Sequence, residues 1–241
     1  MTGFAIRASF GVFQIPIASE FGWLRSEFSL AIAIQNLAWG IGQPIFAAIA
    51  EKFGDRRAIF LGALTYAAGL ILSSVAITPS AHQLLEIMVG FGIAGTGFGV
   101  ILAIVGRAAS DENRSLVLGI ATASGSLGQF IGPPIAAALL TQMNWSSVFL
   151  VFAVAILSTM LFVPFLRSQT TATNAAAEKT MSKILLNAVK DPTYTLIFLG
   201  FFSCGYQLAF VTAHFPAFVT EMCGPIAQGS LLAGLGITTT S

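Results

Sequence analysis

Residues 47–57 read Ala47-Ala48-Ile49-Ala50-Glu51-Lys52-Phe53-Gly54-Asp55-Arg56-Arg57, a short charged junction that closes one apolar run, 28–50, and opens another, 58–77. A bilayer core of about 30 Å takes about 20 apolar residues per helix, and both runs have that length. Outward from the junction the pattern repeats. Apolar runs at 2–19, 84–106, 116–140, 147–166 and 194–218, with a weaker one at 228–237, predict seven spans and part of an eighth. The breaks at 20–27, 51–57, 78–83, 107–115 and 141–146 are short, and only 167–193 is long. Transmembrane strands would be about 10 residues long and alternate in polarity, whereas these runs are longer and continuously apolar. The fold class is therefore all-α, a polytopic membrane protein. Gln14 and Pro16 interrupt the first run and no A-x-A-like cleavage site follows, so 2–19 is read as a span rather than a leader.

Composition agrees. Of 241 residues, 56% are hydrophobic and 9% charged, against about 25% charged in soluble domains, which excludes a water-soluble globule. A formal charge of +1 offers no basic field for nucleic acid. Cys204 and Cys223 stand apart with no CxxC and no His/Cys cluster, so no metal site is expected and both are read as buried small apolar residues. No G-x-S-x-G, H-E-x-x-H or phosphate-loop pattern points to an enzyme, a catalytic residue or a cofactor. Gly95-Thr96-Gly97-Phe98-Gly99 resembles a nucleotide loop only superficially, since it lies in mid-span.

Placement of charge predicts orientation. Lys52, Arg56, Arg57, Arg107, Arg114, Arg167, Lys179, Lys183 and Lys190 fall in alternate loops on one side, nine of the 11 basic residues. Arg25 falls opposite and Arg7 within the first span. The basic side is expected to be cytoplasmic, in an inner or plasma membrane, with the N-terminus and the long break on it. Glu20, Glu27, Glu86 and Glu221 are assigned to the other side. Within the long break Met181, Ile184, Leu185, Ala188 and Val189 recur at helical spacing opposite Lys179, Lys183 and Lys190, the pattern of an amphipathic helix on the inner leaflet or of a solvated linker helix.

The junction at 47–57 resembles the signature G-x-x-x-D-R-x-G-R-R of the major facilitator superfamily. Glu51 stands for its acid, Lys52 for its first base, Gly54 for its glycine, and Arg56 with Arg57 for its basic pair; Ala47 replaces the first glycine and Asp55 is inserted. A carboxylate beside several bases at a helix end forms an ion-pair latch that can close in one conformation and open in another. Gly119, Gly128, Gly132 and Pro133, followed by Ala136-Ala137, track the superfamily's G-x8-G-x3-G-P-x2-G-G motif with alanines for the last two glycines. Asp111-Glu112-Asn113-Arg114 resembles its acid-x-Arg loop. Phe10-Gly11-Val12-Phe13, Glu20-Phe21-Gly22-Trp23 and Gly205 to Phe210 with His214-Phe215-Pro216 look like the bacterial branch near monocarboxylate and oxalate/formate carriers.

The resemblance implies a major facilitator fold: a six-helix transmembrane half at 1–166, a cytoplasmic central loop at 167–193, and the start of a second half at 194–241. Against a layout of two six-helix halves the chain reads as truncated, so it is not expected to perform coupled transport by itself.

Polar side chains inside a span mark pathways. Gly3, Arg7, Gly11 and Gln14 share a face of span one, and Ser203, Gln207 and His214 share a face of span seven. The resemblance places these two helices against a central cavity. The substrate candidates are Arg7, Gln14, Asn36, Gln207 and His214, with Arg7 meeting a carboxylate and His214 carrying a coupling proton. Asn36, Gly40, Gln43 and Ala47 form a further small or polar face, and Gly92, Gly95, Gly99 and Gly106 a glycine stripe on span four; both fit helix packing equally well. Arg7 snorkelling to the inner surface is the competing reading of that residue. The function implied is secondary transport of a small solute, an organic anion such as a monocarboxylate, by alternating access. Its partners would be the lipid bilayer, the solute, a coupling proton or counter-substrate, and a chain supplying the missing helices. A drug:proton antiporter, favoured by span five, and a transport-dead scaffold or receptor-like fragment remain open.

Overall fold

A computed structural model describes residues 1–166 and 190–223. The described residues form helices α1 (Thr2–Ser9), α2 (Gln14–Phe21), α3 (Arg25–Phe53), α4 (Asp55–Ser73), α5 (Pro79–Thr96), α6 (Phe98–Ala108), α7 (Arg114–Leu140), α8 (Trp145–Thr159) and α9 (Pro192–Cys223). Tight 3-10 turns occupy Phe10–Phe13 and Met160–Phe165. All seven expected spans are present as helical segments, and six stretches of helix are long and apolar enough to cross a membrane. The expected amphipathic helix and the partial eighth span lie outside the described residues.

Two spans are not the continuous helices the sequence predicts. Span one breaks into α1 and α2 around the turn at Phe10–Phe13. Pro16 has no N–H to offer the carbonyl four residues back, so the helix tightens before it. Span four breaks at Gly97, which is extended at φ −87°, ψ −171° and separates α5 from α6. The paired prolines Pro133 and Pro134, by contrast, sit inside an unbroken α7.

Glycines set the helix spacing. A Cβ on Gly95 would fall 2.6 Å from the Gly62 Cα, so α4 and α5 cross backbone to backbone. On the opposite face of α5, Gly90 abuts α3 at Ala38 and the Trp39 amide. Gly54, at φ +91°, ψ 149°, links α3 to α4 with a backbone geometry that disfavours any side chain. The core between these helices contains Phe13, Ile17, Phe28, Tyr66, Leu70, Ile93, Phe149 and Ile156. Outward faces present Leu30, Leu37, Ile41 and Ile45 on α3 and Leu116, Ile120 and Leu127 on α7, the apolar surface a bilayer accepts.

The last described helix corrects one expectation. Cys204 is exposed rather than buried, because α9 meets the other helices only through its later turns, and the half carrying Cys204 has no neighbour among the described residues.

Candidate functional site

A polar cleft lies where α1 and its 3-10 turn meet α3 and α9. Arg7, Phe10, Gly11, Ile32, Gln35, Asn36, Thr212 and Ala213 line a narrow, half-open cleft whose cavity of about 10 Å³ has room for a single water-sized group. Arg7 is 7% exposed, so it does not snorkel. Its Nη2 donates to Asn36 Oδ1 at 2.9 Å, and the guanidinium carbon lies 4.6 Å from the centre of the Trp39 ring. Asn36 is held in turn by its Nδ2 donating to Ile32 O. Arg7 Nε has no hydrogen-bond partner, and no carboxylate lies within ion-pair distance of Arg7 among the described residues. An unpaired buried cation with a free donor suits an incoming anion.

Of the other candidates, Gln14 is buried with Oε1 unpartnered, but it does not line this cleft. Gln207 is exposed and His214 is half-buried against Phe210, 4.9 Å between ring centres. Neither joins Arg7; Thr212 and Ala213 stand there instead. The reason is Gly11. It has no side chain, so the carbonyl groups of Thr212 and Ala213 seat directly on it, and that contact sets the rotation of α9. At 3.6 residues per turn, the face bearing Ser203, Gln207 and His214 then lies about 140–180° round the helix from Thr212, on its far side.

The structure also places polar groups that sequence spacing assigned elsewhere. Glu86, expected in an outer loop, is fully buried in α5, and His82 beside it is 1% exposed. Gln35 donates to Glu86 from α3. Their α-helical spacing of four residues is visible in the sequence, but the polar break at 78–83 places His82 outside the expected span. Glu20 does sit at a helix end, accepting from Trp145 Nε1, and Glu221 pairs with Arg25.

At the junction, Glu51, Lys52, Arg56 and Arg57 are exposed and Gly54 is buried. The carboxylate that engages is the inserted Asp55. It is 1% exposed and accepts from Arg107 Nη2 at 2.5 Å, joining α4 to the end of α6. Arg56 Nε caps Leu166 O at 2.7 Å, while Glu51 makes no ion pair among the described residues. Asp55→Asn is therefore expected to cost about 1–3 kcal/mol of stability, less than a fully buried pair because Arg107 is one-third exposed. Glu51→Gln is expected to cost under about 0.5 kcal/mol. Thermal unfolding of both variants in detergent measures the difference; equal losses would contradict the assignment.

The motif of span five divides in the same way. Gly128, Gly132 and Pro133 are buried, with Gly132 against the Ala5 backbone and Gly128 against Met1. Gly119 faces open space.

Comparison with known proteins places this geometry in a family. The chain is 25% identical to the uncharacterized MFS-type transporter YcxA of Bacillus subtilis, over 95% of this chain and 60% of that protein. It is 33% identical to monocarboxylate transporter 13 of Bos taurus, over 59% of this chain and 33% of that protein. A solved POT family transporter in complex with 5-aminolevulinic acid superposes with a TM-score of 0.56 at 18% identity, over 91% of this chain and 50% of that one, which concerns the fold alone. The chain thus spans 60% or less of the length of these proteins. Residues 1–240 match the model of the Major Facilitator Superfamily, and the chain, with its all-α membrane fold, belongs to that superfamily.

Proposed function

We propose that this chain carries the solute-binding half of a secondary transporter for a small organic anion, and that the anion's carboxylate docks on Arg7. Residues 1–166 are the six-helix half, 167–193 a central loop, and 194–241 the start of the second half. The observation that carries the reading is the buried Arg7 guanidinium, held by Asn36 on one nitrogen and left with a free donor at the cleft. Similarity to a protein named as a monocarboxylate transporter supports the same chemistry. Alternating access would exchange the cleft between the two membrane faces. The test is equilibrium binding to the purified chain: labelled lactate, pyruvate and acetate are expected to compete with one another and not with methyl viologen. Saturable binding of methyl viologen alone would overturn the anion reading.

Orientation follows from the basic end. Arg56, Arg107 and Arg114 converge where α3 gives way to α4 and α6 to α7, bonded to Leu166 O, Asp55 and Gly106 O. By the positive-inside rule this end is cytoplasmic, in a cell inner or plasma membrane. In a background lacking native cysteines, Ser110→Cys is expected to react with an impermeant maleimide only from the cytoplasmic face, and Ser80→Cys only from outside. Labelling of the Ser80 position from the cytoplasm would reverse the topology.

A further inference from the structure

Beside the anion cleft the bundle core holds a second polar cluster that the solute site does not use. His82 and Glu86 lie on successive turns of α5, with His82 Nε2 3.4 Å from Glu86 Oε1 and both side chains 1% exposed. Gln35 Nε2, from α3, donates to the other carboxylate oxygen at 2.6 Å. Among the described residues neither ring nitrogen of His82 makes a hydrogen bond, nor does Glu86 Oε1. Aromatic rings pack on the imidazole of the pair. Trp23, Phe28 of α3 and Phe149 of α8 stand 5.6, 6.1 and 6.3 Å from the imidazole, centre to centre. From α4 the ionisable neighbour is Tyr66, within electrostatic reach of Glu86 and with its hydroxyl donating to Gly3 O. Arg7 of α1 lies within reach of Tyr66.

Two titratable groups in apolar surroundings obey a simple charge rule. With one proton beyond the imidazole's own, the pair is neutral, whether written as imidazolium with carboxylate or imidazole with carboxylic acid. Without it the pair carries a full negative charge with no cation bonded to it, a state the sealed core penalises heavily. The sealed conformation therefore keeps the proton, and its release requires opening to water. Apart from the 3.4 Å approach of His82 Nε2 to Glu86 Oε1, no hydrogen bond engages that oxygen or either imidazole nitrogen among the described residues.

We propose that the His82–Glu86 pair is the proton-binding site of this transporter, linked to the anion cleft by Gln35. The proposal deepens the anion-transporter reading and rests on it. Gln35 lines the cleft and donates to Glu86, and its chain neighbour Asn36 holds Arg7. An anion that draws Arg7 off Asn36 thus acts on the same turn of α3 that holds the carboxylate, which gives the two ligands a shared element through which to couple. In the cycle a proton passes from water on the face to which the pair opens, onto the pair, and back to water on the other face. No other bond is made or broken.

The test is infrared spectroscopy of the full chain in liposomes, titrated with buffer alone. The expected result is a carbonyl-stretch band of a buried carboxylic acid that disappears reversibly as pH rises, is absent in Glu86→Gln and is displaced in Glu86→Asp. In His82→Gln the titration midpoint should move by about one pH unit or more, the mark of coupled groups. Gln35→Leu should shift the band frequency by removing its hydrogen bond. Arg7→Met should keep the titrating band, so failure of the anion site and failure of the proton site are read separately. A band that does not titrate, that persists in Glu86→Gln, or that ignores His82→Gln overturns the proposal. If Glu86→Gln does not fold, the Glu86→Asp and His82→Gln spectra still decide between these outcomes.

Discussion

Arg7→Met is expected to abolish monocarboxylate binding while leaving the fold as stable as before, or more so. Among the described residues Arg7 is buried without a carboxylate partner, and it engages Asn36 by a hydrogen bond and the face of Trp39. A buried charge compensated this thinly is a burden on folding, so an apolar side chain of similar length relieves it. For the anion the reverse holds. Its carboxylate would meet the guanidinium out of water, and truncating one member of such a pair costs about 2–5 kcal/mol, roughly 30-fold to several thousand-fold in affinity. Arg7→Lys should fall between, because an ammonium cannot keep Asn36 and present a forked pair of donors at once. Equilibrium binding of labelled lactate, pyruvate and acetate, with thermal unfolding alongside, measures both effects. Affinity unchanged within about twofold, or a stability loss that parallels the binding loss, would remove Arg7 from the solute site.

Gly132→Leu should cost the chain its fold, and Gly119→Leu should do almost nothing, although both belong to one motif. A Cβ on Gly132 would lie 2.7 Å from the Ala5 Cα, with the carbonyl oxygen nearer still, so backbone would have to move to admit any side chain. Overpacking a tight contact costs about 1–3 kcal/mol for added methylenes and more where the obstacle is main chain. Displacing α1 from α7 also displaces Arg7, two residues beyond Ala5. Around Gly119 nothing among the described residues lies within 4 Å of the added atom. In a lipid-facing setting a leucine there is neutral, and Gly→Leu within a helix even improves propensity. Yield of monodisperse protein and thermal stability in detergent distinguish the two; equal behaviour would mean that the motif acts as a unit for some reason other than packing on α1.

How much of the site was legible depended on the kind of physics involved. Arg7 and Asn36 could be picked out from sequence because an intramembrane charge or amide is rare and costly wherever it sits. Gln207 and His214 met the same criterion, yet they face away from Arg7. Periodicity says which residues share a face but not which way that face turns, and here the turn is set by the Thr212 carbonyl seated on Gly11. Glu86 was misplaced for a related reason. A single acid four residues from a histidine near a run's polar edge reads as a loop, and only the closing rings of Trp23, Phe28 and Phe149 show that the edge lies inside the bundle. At the junction the inserted Asp55 looked like a disturbance of the motif; in three dimensions it is the carboxylate that meets Arg107, 52 residues away.

By itself the sequence determined the membrane class, the helical segments, six of them long and apolar enough to cross a membrane among the described residues, and the resemblance that placed the chain in its superfamily. Each of these follows from local quantities: run length against bilayer thickness, and residue types at fixed short spacing. Tertiary structure alone decided the breaks' consequences, the rotation of α9, the union of Arg7 with Asn36 and Thr212, and the burial of His82 and Glu86. These depend on where one backbone can approach another, at Gly11, Gly95 and Gly132, and a close approach is a property of two segments at once, which no window along one of them contains.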